Sequence, residues 1–313
     1  MYKHFFGLRA NPFSANPDPR FLLMTRNTRE VLACLNYGVQ NRKGFMVLSG
    51  EVGTGKTTLL QKLLQSLKAS HVATAYVFNP RLDVLGFLHF MMTDFGIRCE
   101  SRDKSDMLLQ LNQWLLSKFR SGETAALIVD EAQNLLPELL EEIRLLTNLE
   151  TSSEKLLQIV LAGQPELDVM LRQPQLRQLR QRILFRCRTF PLTPEEVQLY
   201  IQERIRLAGG DGVPIFTSDA VDAVVRFSQG VPRVVNLLCE HSLVTAFADQ
   251  SRPVAGAIVE EVAREFELDE LPPLATESVT QTSIASLAAK AGIDAANRVT
   301  ASDGLGLKLL DRK

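Results

Sequence analysis

Residues 50–58 read Gly-Glu-Val-Gly-Thr-Gly-Lys-Thr-Thr. Gly50, Gly55, Lys56 and Thr57 satisfy the pattern G-x-x-x-x-G-K-[ST]. In this pattern a glycine-rich loop lets backbone N–H groups wrap a phosphate chain, the lysine reaches the outer phosphates and the hydroxyl holds Mg²⁺. The whole stretch (Gly50, Glu51, Val52, Gly53, Thr54, Gly55, Lys56, Thr57 and Thr58) is therefore the candidate phosphate cradle. A second group is Asp130-Glu131, directly after the apolar run Ala126-Leu127-Ile128-Val129. Two acids at a strand's carboxyl end complement a phosphate loop. Asp130 joins Thr57 around Mg²⁺, and Glu131 orients or deprotonates the attacking water. The plainer reading of the two acids is an exposed loop start.

These groups need strands and helices to hold them. Phe45-Met46-Val47-Leu48 precedes the loop as a strand, and Leu59, Leu60, Leu63, Leu64 and Leu67 follow it at helical spacing. Strands are predicted at 45–49, 72–79, 125–130, 157–162 and 183–190. Helices are predicted near 29–41, 56–69, 83–95, 105–119 and 137–149. Short apolar strands separated by helices predict an α/β fold, a parallel five-stranded sheet covered on both faces. From Thr193-Pro194-Glu195-Glu196, a strong helix start, only helices follow, near 194–208, 217–228, 232–248 and 255–266. Four segments result: a Pro-rich extended arm (1–30), a nucleotide-binding α/β domain (31–192), a small all-helical lid (193–268) and a polar tail (269–313). The tail is expected to be disordered, with a short helix near 283–291.

Bulk properties narrow the function. The formal net charge of −1 gives no global field toward nucleic acid or anionic lipid. Cys34, Cys99, Cys187 and Cys239 lie far apart without a C-x-x-C pair, which argues against a zinc site or disulfide framework and fits a reducing compartment. The N-terminus lacks signal-peptide character and no apolar run is long enough to span a bilayer. A cytoplasmic protein without direct membrane insertion is expected. No guanine-specific N-K-x-D element is present and Asp130-Glu131 does not open a D-x-x-G switch, so the nucleotide is taken as ATP.

Longer stretches carry a family resemblance. Leu127 to Gln133 (LIVDEAQ), Asn148 to Thr151 (NLET) and Val160 to Leu167 (VLAGQPEL) resemble the general secretion pathway protein A (ExeA) group of AAA+ ATPases. So do the opening Met1 to Leu8 (MYKHFFGL), Asn11-Pro12-Phe13-Ser14, Pro17-Asp18-Pro19, and Gly230-Val231-Pro232-Arg233 with Val235-Asn236-Leu237. The match runs from residue 1 to about 268. Individual pieces are shared with transposition ATPases and origin-recognition proteins.

The resemblance implies a P-loop AAA+ fold with a helical lid and roles for further residues. Asn79, at the end of the second strand, would hold Glu131 inactive until a partner arrives; a turn former before Pro80 is the equal alternative. Gln164 would bond the γ-phosphate or the water. Arg233 would reach the nucleotide phosphates when the lid closes, coupling nucleotide state to domain angle. In the basic run Arg172, Arg177, Arg180, Arg182, Arg186 and Arg188, Arg182 best matches the arginine that enters a neighbouring subunit's site. Arg180 and Arg177 are its alternates, a solvated basic face the plainer reading and phosphate contact with DNA a third. The adenine pocket would be lined near Phe13 and Pro17.

The resulting expectation is a Mg²⁺-dependent ATPase. It forms a homo-oligomeric ring or filament and drives or times assembly of an envelope, secretion or export system. A partner recruits it to the inner face of the membrane. The longer relatives carry a transmembrane segment and a peptidoglycan-binding domain after the ATPase, so the chain is expected to be a short form without them. A DNA-associated regulator resembling transposition ATPases is the alternative, and a nucleotide-sensing scaffold without turnover the third class.

Overall fold

The computed structural model describes residues 2–78 and 81–268. Asn79 and the tail 269–313, with its predicted helix, lie outside the described residues. The chain opens with a one-turn helix α1 (Tyr2–Phe5) and a longer α2 (Arg26–Gln40). Strand and helix then alternate: β1 (Phe45–Gly50), α3 (Lys56–Ala69), β2 (Val72–Val77), α4 (Val84–Asp94), α5 (Lys104–Arg120), β3 (Thr124–Val129) and α6 (Pro137–Leu146). After these come β4 (Leu157–Gly163), α7 (Pro165–Leu171), α8 (Arg177–Gln181) and β5 (Ile183–Thr189). Four helices finish the described chain: α9 (Pro194–Leu207), α10 (Ser218–Ser228), α11 (Pro232–Ala248) and α12 (Gly256–Glu265).

The five strands form one parallel sheet in the order β2-β3-β4-β1-β5. Its central strands β1, β3 and β4 are buried at every position, the signature of a sheet covered on both faces. Alternate residues serve different cores. Phe45, Val47, Leu127, Val129, Ile159 and Leu161 pack with α4 to α7. Met46, Leu48, Ala126, Ile128, Val160 and Ala162 pack with α2 and α3. Period-two alternation thus glues one helical layer to each face.

The order matters for the site. β4 lies between β1 and β3, with Ser49 opposite Gly163 and Val129 opposite Leu161. The carboxyl ends of these three strands therefore stand side by side, where open parallel sheets bind ligands.

A third core holds α9 to α12 together. The arm belongs to it, with Phe6, Leu8 and Phe13 fully buried among Val197, Leu238 and Leu243. The expected turn-rich arm is present over residues 6–25, but it is docked on the lid and ends before residue 30. Residues 2–5 form a helical turn, the apolar side chains dock on the lid, and α2 begins at Arg26, capped by Thr25.

Candidate functional site

The loop after β1 leads into α3, whose first residue is Lys56. Its N-cap is Gly55 at φ 89°, with no side chain closing the helix end. Uncapped N–H groups at a helix start are an anion site. Lys56 is 6% exposed, and its Nζ donates to the Gly50 and Glu51 carbonyls at 2.7 and 2.9 Å. Burial pulls its ammonium below the usual lysine range, while Glu131 and Asp130 act in the opposite direction.

Thr57 Oγ1 donates to Asp130 Oδ2 at 2.9 Å. A hydroxyl and a carboxylate oxygen so placed suit a hard cation such as Mg²⁺. Among the described residues no cluster of three or more His, Cys, Asp or Glu could hold a metal by itself. A cation here would complete its shell from phosphate and water, as Mg²⁺ usually does.

Two further donors fix Asp130. Tyr76, on the neighbouring strand β2, donates its hydroxyl to Oδ2 at 3.0 Å, and the Glu131 backbone N–H donates to Oδ1 at 2.9 Å. Burial, reinforced by the charge of Asp130, pushes the Tyr76 hydroxyl well above the ordinary tyrosine range, so it stays a donor. Sequence reasoning missed Tyr76. The strand pairing of Tyr76 with Ile128 brings it beside Asp130, and no motif marks that register.

Glu131 takes a left-handed backbone conformation at φ 53°, unusual for a side-chain-bearing residue. Its Oε2 accepts from Gln164 Nε2 at 3.1 Å and from Gln133 Nε2 at 2.5 Å. Gln164 therefore lies beside Glu131, at the end of β4. The amides found on Glu131 belong to Gln133 and Gln164; Asn79, which the resemblance placed there, lies outside the described residues.

The lid meets the loop directly. The Arg233 backbone N–H donates to the Gly53 carbonyl at 3.2 Å. A Cβ on Gly53 would come within 2.9 Å of both Arg233 Cβ and Val231 Cγ1, so glycine permits the close approach. Arg233 lines a cleft of about 720 Å³ together with Lys56, Thr57, Glu131 and Gln164. Phe13 and Pro17 line the same cleft, alongside Tyr200 and Asn236. That volume is within the usual range for small-molecule sites.

Half of the basic run is engaged within the chain. Arg182 donates to the Arg144 carbonyl at 3.3 Å and to Thr147 Oγ1, binding the carboxyl end of α6. Arg186 and Arg188 both pair with the buried Asp168 of α7, at 3.1 and 3.3 Å. Among the described residues Arg180 reaches only the Arg172 carbonyl, at 3.4 Å. Arg177 is exposed and makes no side-chain hydrogen bond or ion pair among the described residues.

Residues 39–171 match the family described as AAA domain. General secretion pathway protein A of Aeromonas hydrophila is 46% identical over 255 residues, covering 81% of this chain. The chain spans 46% of that relative's length. The fold is shared with the Aeropyrum pernix ORC2 protein (TM-score 0.63, 16% identity, 84% of this chain and 74% of that one). It is shared also with the Thermotoga maritima RuvB Holliday junction branch migration motor (TM-score 0.53, 16% identity, 86% and 82%).

Proposed function

This chain carries an AAA domain over residues 39–171 and is similar across most of its length to General secretion pathway protein A, and on that premise we propose that it is a Mg²⁺-dependent ATPase. It hydrolyses ATP between subunits of a homo-oligomer and drives or times assembly of an envelope, secretion or export system. One observation carries the reading most: Thr57 Oγ1 and Asp130 Oδ2 lie 2.9 Å apart, joining the start of α3 after β1 to the end of β3 across β4, with Lys56 and Glu131 next to them in the chain. Groups suited to phosphate binding, cation binding and water activation thus meet at one end of the sheet.

In this reading Lys56 exchanges its two backbone carbonyl partners for β- and γ-phosphate oxygens. Thr57 and Asp130 would hold Mg²⁺, which would supply charge neutralisation for those phosphates. Glu131 takes a proton from water as the water oxygen attacks the γ-phosphorus. The bond to the bridging oxygen breaks, and ADP leaves with the electron pair. Gln164 bonds the γ-phosphate or the water. Arg233 closes over the phosphates with the lid. The nucleoside occupies the part of the cleft bounded by Phe13, Pro17 and Tyr200.

The arginine contributed to a neighbour's site is better sought at Arg177 or Arg180 than at Arg182. Removing Arg182 from Thr147 would expose carbonyls at the end of α6, whereas the other two are exposed already. The basic run gives correspondingly little support to a DNA-associated regulator, because Arg182, Arg186 and Arg188 are engaged internally. No helix among the described residues is long and apolar enough to cross a membrane, and a secretion-system partner would bring the chain to the inner face.

The test is Glu131→Gln. It is expected to retain ATP while phosphate release falls by about 10²-fold or more. Undiminished release would remove Glu131 as the base. Mixing Glu131→Gln with an Arg177→Ala, Arg180→Ala double variant should restore part of the activity. No recovery in confirmed mixed assemblies would count against a shared site.

A further inference from the structure

Gln133 has no part in the mechanism above, yet both ends of its amide are engaged. Its Oε1 accepts the Gln164 backbone N–H at 3.0 Å, and its Nε2 donates to Glu131 Oε2 at 2.5 Å. A carbonyl oxygen is required opposite a backbone N–H, so the donor at the end of β4 fixes which way the amide points. The N–H end is then the one presented to Glu131. A Cβ on Gly163 would lie 2.7 Å from Gln133 Oε1, so β4 lacks a side chain where this carbonyl enters. The left-handed turn at Glu131, which opens the short 3₁₀ turn Ala132–Asn134, brings Gln133 back over the strand end.

We propose that Gln133 is a positioning residue that ties the Glu131 carboxylate to the end of β4, so that Glu131 and Gln164 move as one unit. The inference rests on the ATPase reading given above. Gln133 and Gln164 both donate to Oε2, which is thereby occupied and leaves Oε1 as the oxygen that meets water. Displacement of Gln164 by an arriving γ-phosphate is transmitted to Glu131 through the amide of Gln133 and through the direct Gln164 bond. Two linkages in place of one restrict the carboxylate to a narrower set of orientations, and proton transfer is sensitive to that orientation.

Two variants separate the ends of the amide. Gln133→Glu retains the shape and the acceptor for the Gln164 N–H but loses the donor to Glu131. Gln133→Ala loses both. Each is expected to lower kcat about 10-fold or more while ATP affinity stays within about 3-fold, because the lost interaction acts on the chemical step. Hydrogen exchange at the Gln164 backbone amide should accelerate about 10-fold in Gln133→Ala and stay near wild type in Gln133→Glu. Turnover of Gln133→Glu equal to wild type, or unchanged Gln164 exchange in Gln133→Ala, would overturn the proposal. A wild-type chain that binds ATP without hydrolysing it would overturn the ATPase reading instead. The exchange comparison would then decide the linkage by itself.

Discussion

The sheet wall of the cleft is assembled from strand ends, and the lid wall from contacts between segments about two hundred residues apart. On the sheet side, Lys56, Thr57, Asp130, Glu131 and Gln164 each stand within one or two residues of a loop or strand terminus that the topology brings together. On the lid side, Asn11 Nδ2 donates to Glu240 Oε1 across 229 positions, and Tyr2 donates its hydroxyl to both Glu240 oxygens across 238. Arg204 donates to the Pro12 carbonyl and, at 2.6 Å, to the Tyr200 hydroxyl, with its guanidinium 4.8 Å from the Phe21 ring. One wall stands on a single sheet. The other is a composite of arm and helices that has to stay docked for the sheet wall to be roofed.

Substitutions that strike the two walls should accordingly fail in different ways. The largest effect is expected at Lys56→Ala, which removes the buried cation between loop carbonyls and phosphates. ATP binding or turnover should fall by about 10²-fold or more with little change in melting temperature. Isothermal titration with ATP and phosphate release measure it, and wild-type hydrolysis in the variant would sink the phosphate-site assignment.

Arg204→Ala is next, and its failure should be structural. Arg204 is 6% exposed, and its loss strands the Pro12 carbonyl, leaves the Tyr200 hydroxyl with only its bond to Asn236 and empties space beside Phe21. A loss of about 2–4 kcal/mol is expected, with the arm becoming accessible to protease before the sheet does. Thermal melts and limited proteolysis would show it. A variant as stable as wild type, with a protected arm, would mean that the arm is held by its apolar contacts alone.

The same contrast explains what the sequence disclosed. The five strands and nine of the longer helices were visible because buried parallel strands are continuous apolar runs and caps such as Thr193 are local signals. The phosphate loop and the two acids were visible because their chemistry demands residue types at fixed short spacing. The short helices α1, α7 and α8 escaped because a single turn or two has too little periodicity. Tyr76 and Gln133 escaped because their partners come from strand register and from a left-handed turn. The internal partners of Arg182, Arg186 and Arg188 depend on where α6 and α7 pack, so the sequence could single out Arg182 without showing that it is held at the end of α6.

Tyr76→Phe tests whether the sheet wall owes its geometry to register as well as to motif. The change deletes one of two hydroxyls on Asp130 Oδ2 and keeps the ring against its neighbours. Asp130 retains the Glu131 backbone donor, so its carboxylate should loosen without swinging away. A bond to a charged acceptor contributes about 1.5–3 kcal/mol, part of which water recovers at this half-buried position. The Mg²⁺ concentration for half-maximal turnover is expected to rise roughly 5-fold, with ATP affinity in the absence of Mg²⁺ unchanged. An unaltered Mg²⁺ dependence would assign Asp130's orientation to the motif residues alone.

Tyr2→Phe is the smallest change and probes the far anchor of the other wall. Glu240 keeps its bond from Asn11, so the arm loses one of its two polar ties to α11 while Phe6 and Leu8 remain buried. Burial, together with Glu240, holds the Tyr2 hydroxyl above the ordinary tyrosine range, which keeps it a donor at any pH the fold survives. Its removal should cost about 0.5–1.5 kcal/mol in melting experiments and leave phosphate release per bound ATP unchanged. Because the arm also lines the cleft through Phe13 and Pro17, where the nucleoside is proposed to sit, ATP affinity should weaken slightly, by about 2-fold, in step with the stability loss. A fall in kcat at constant ATP affinity would contradict this, since it would connect the arm's anchor to the chemistry at the strand ends and merge the two walls into one unit.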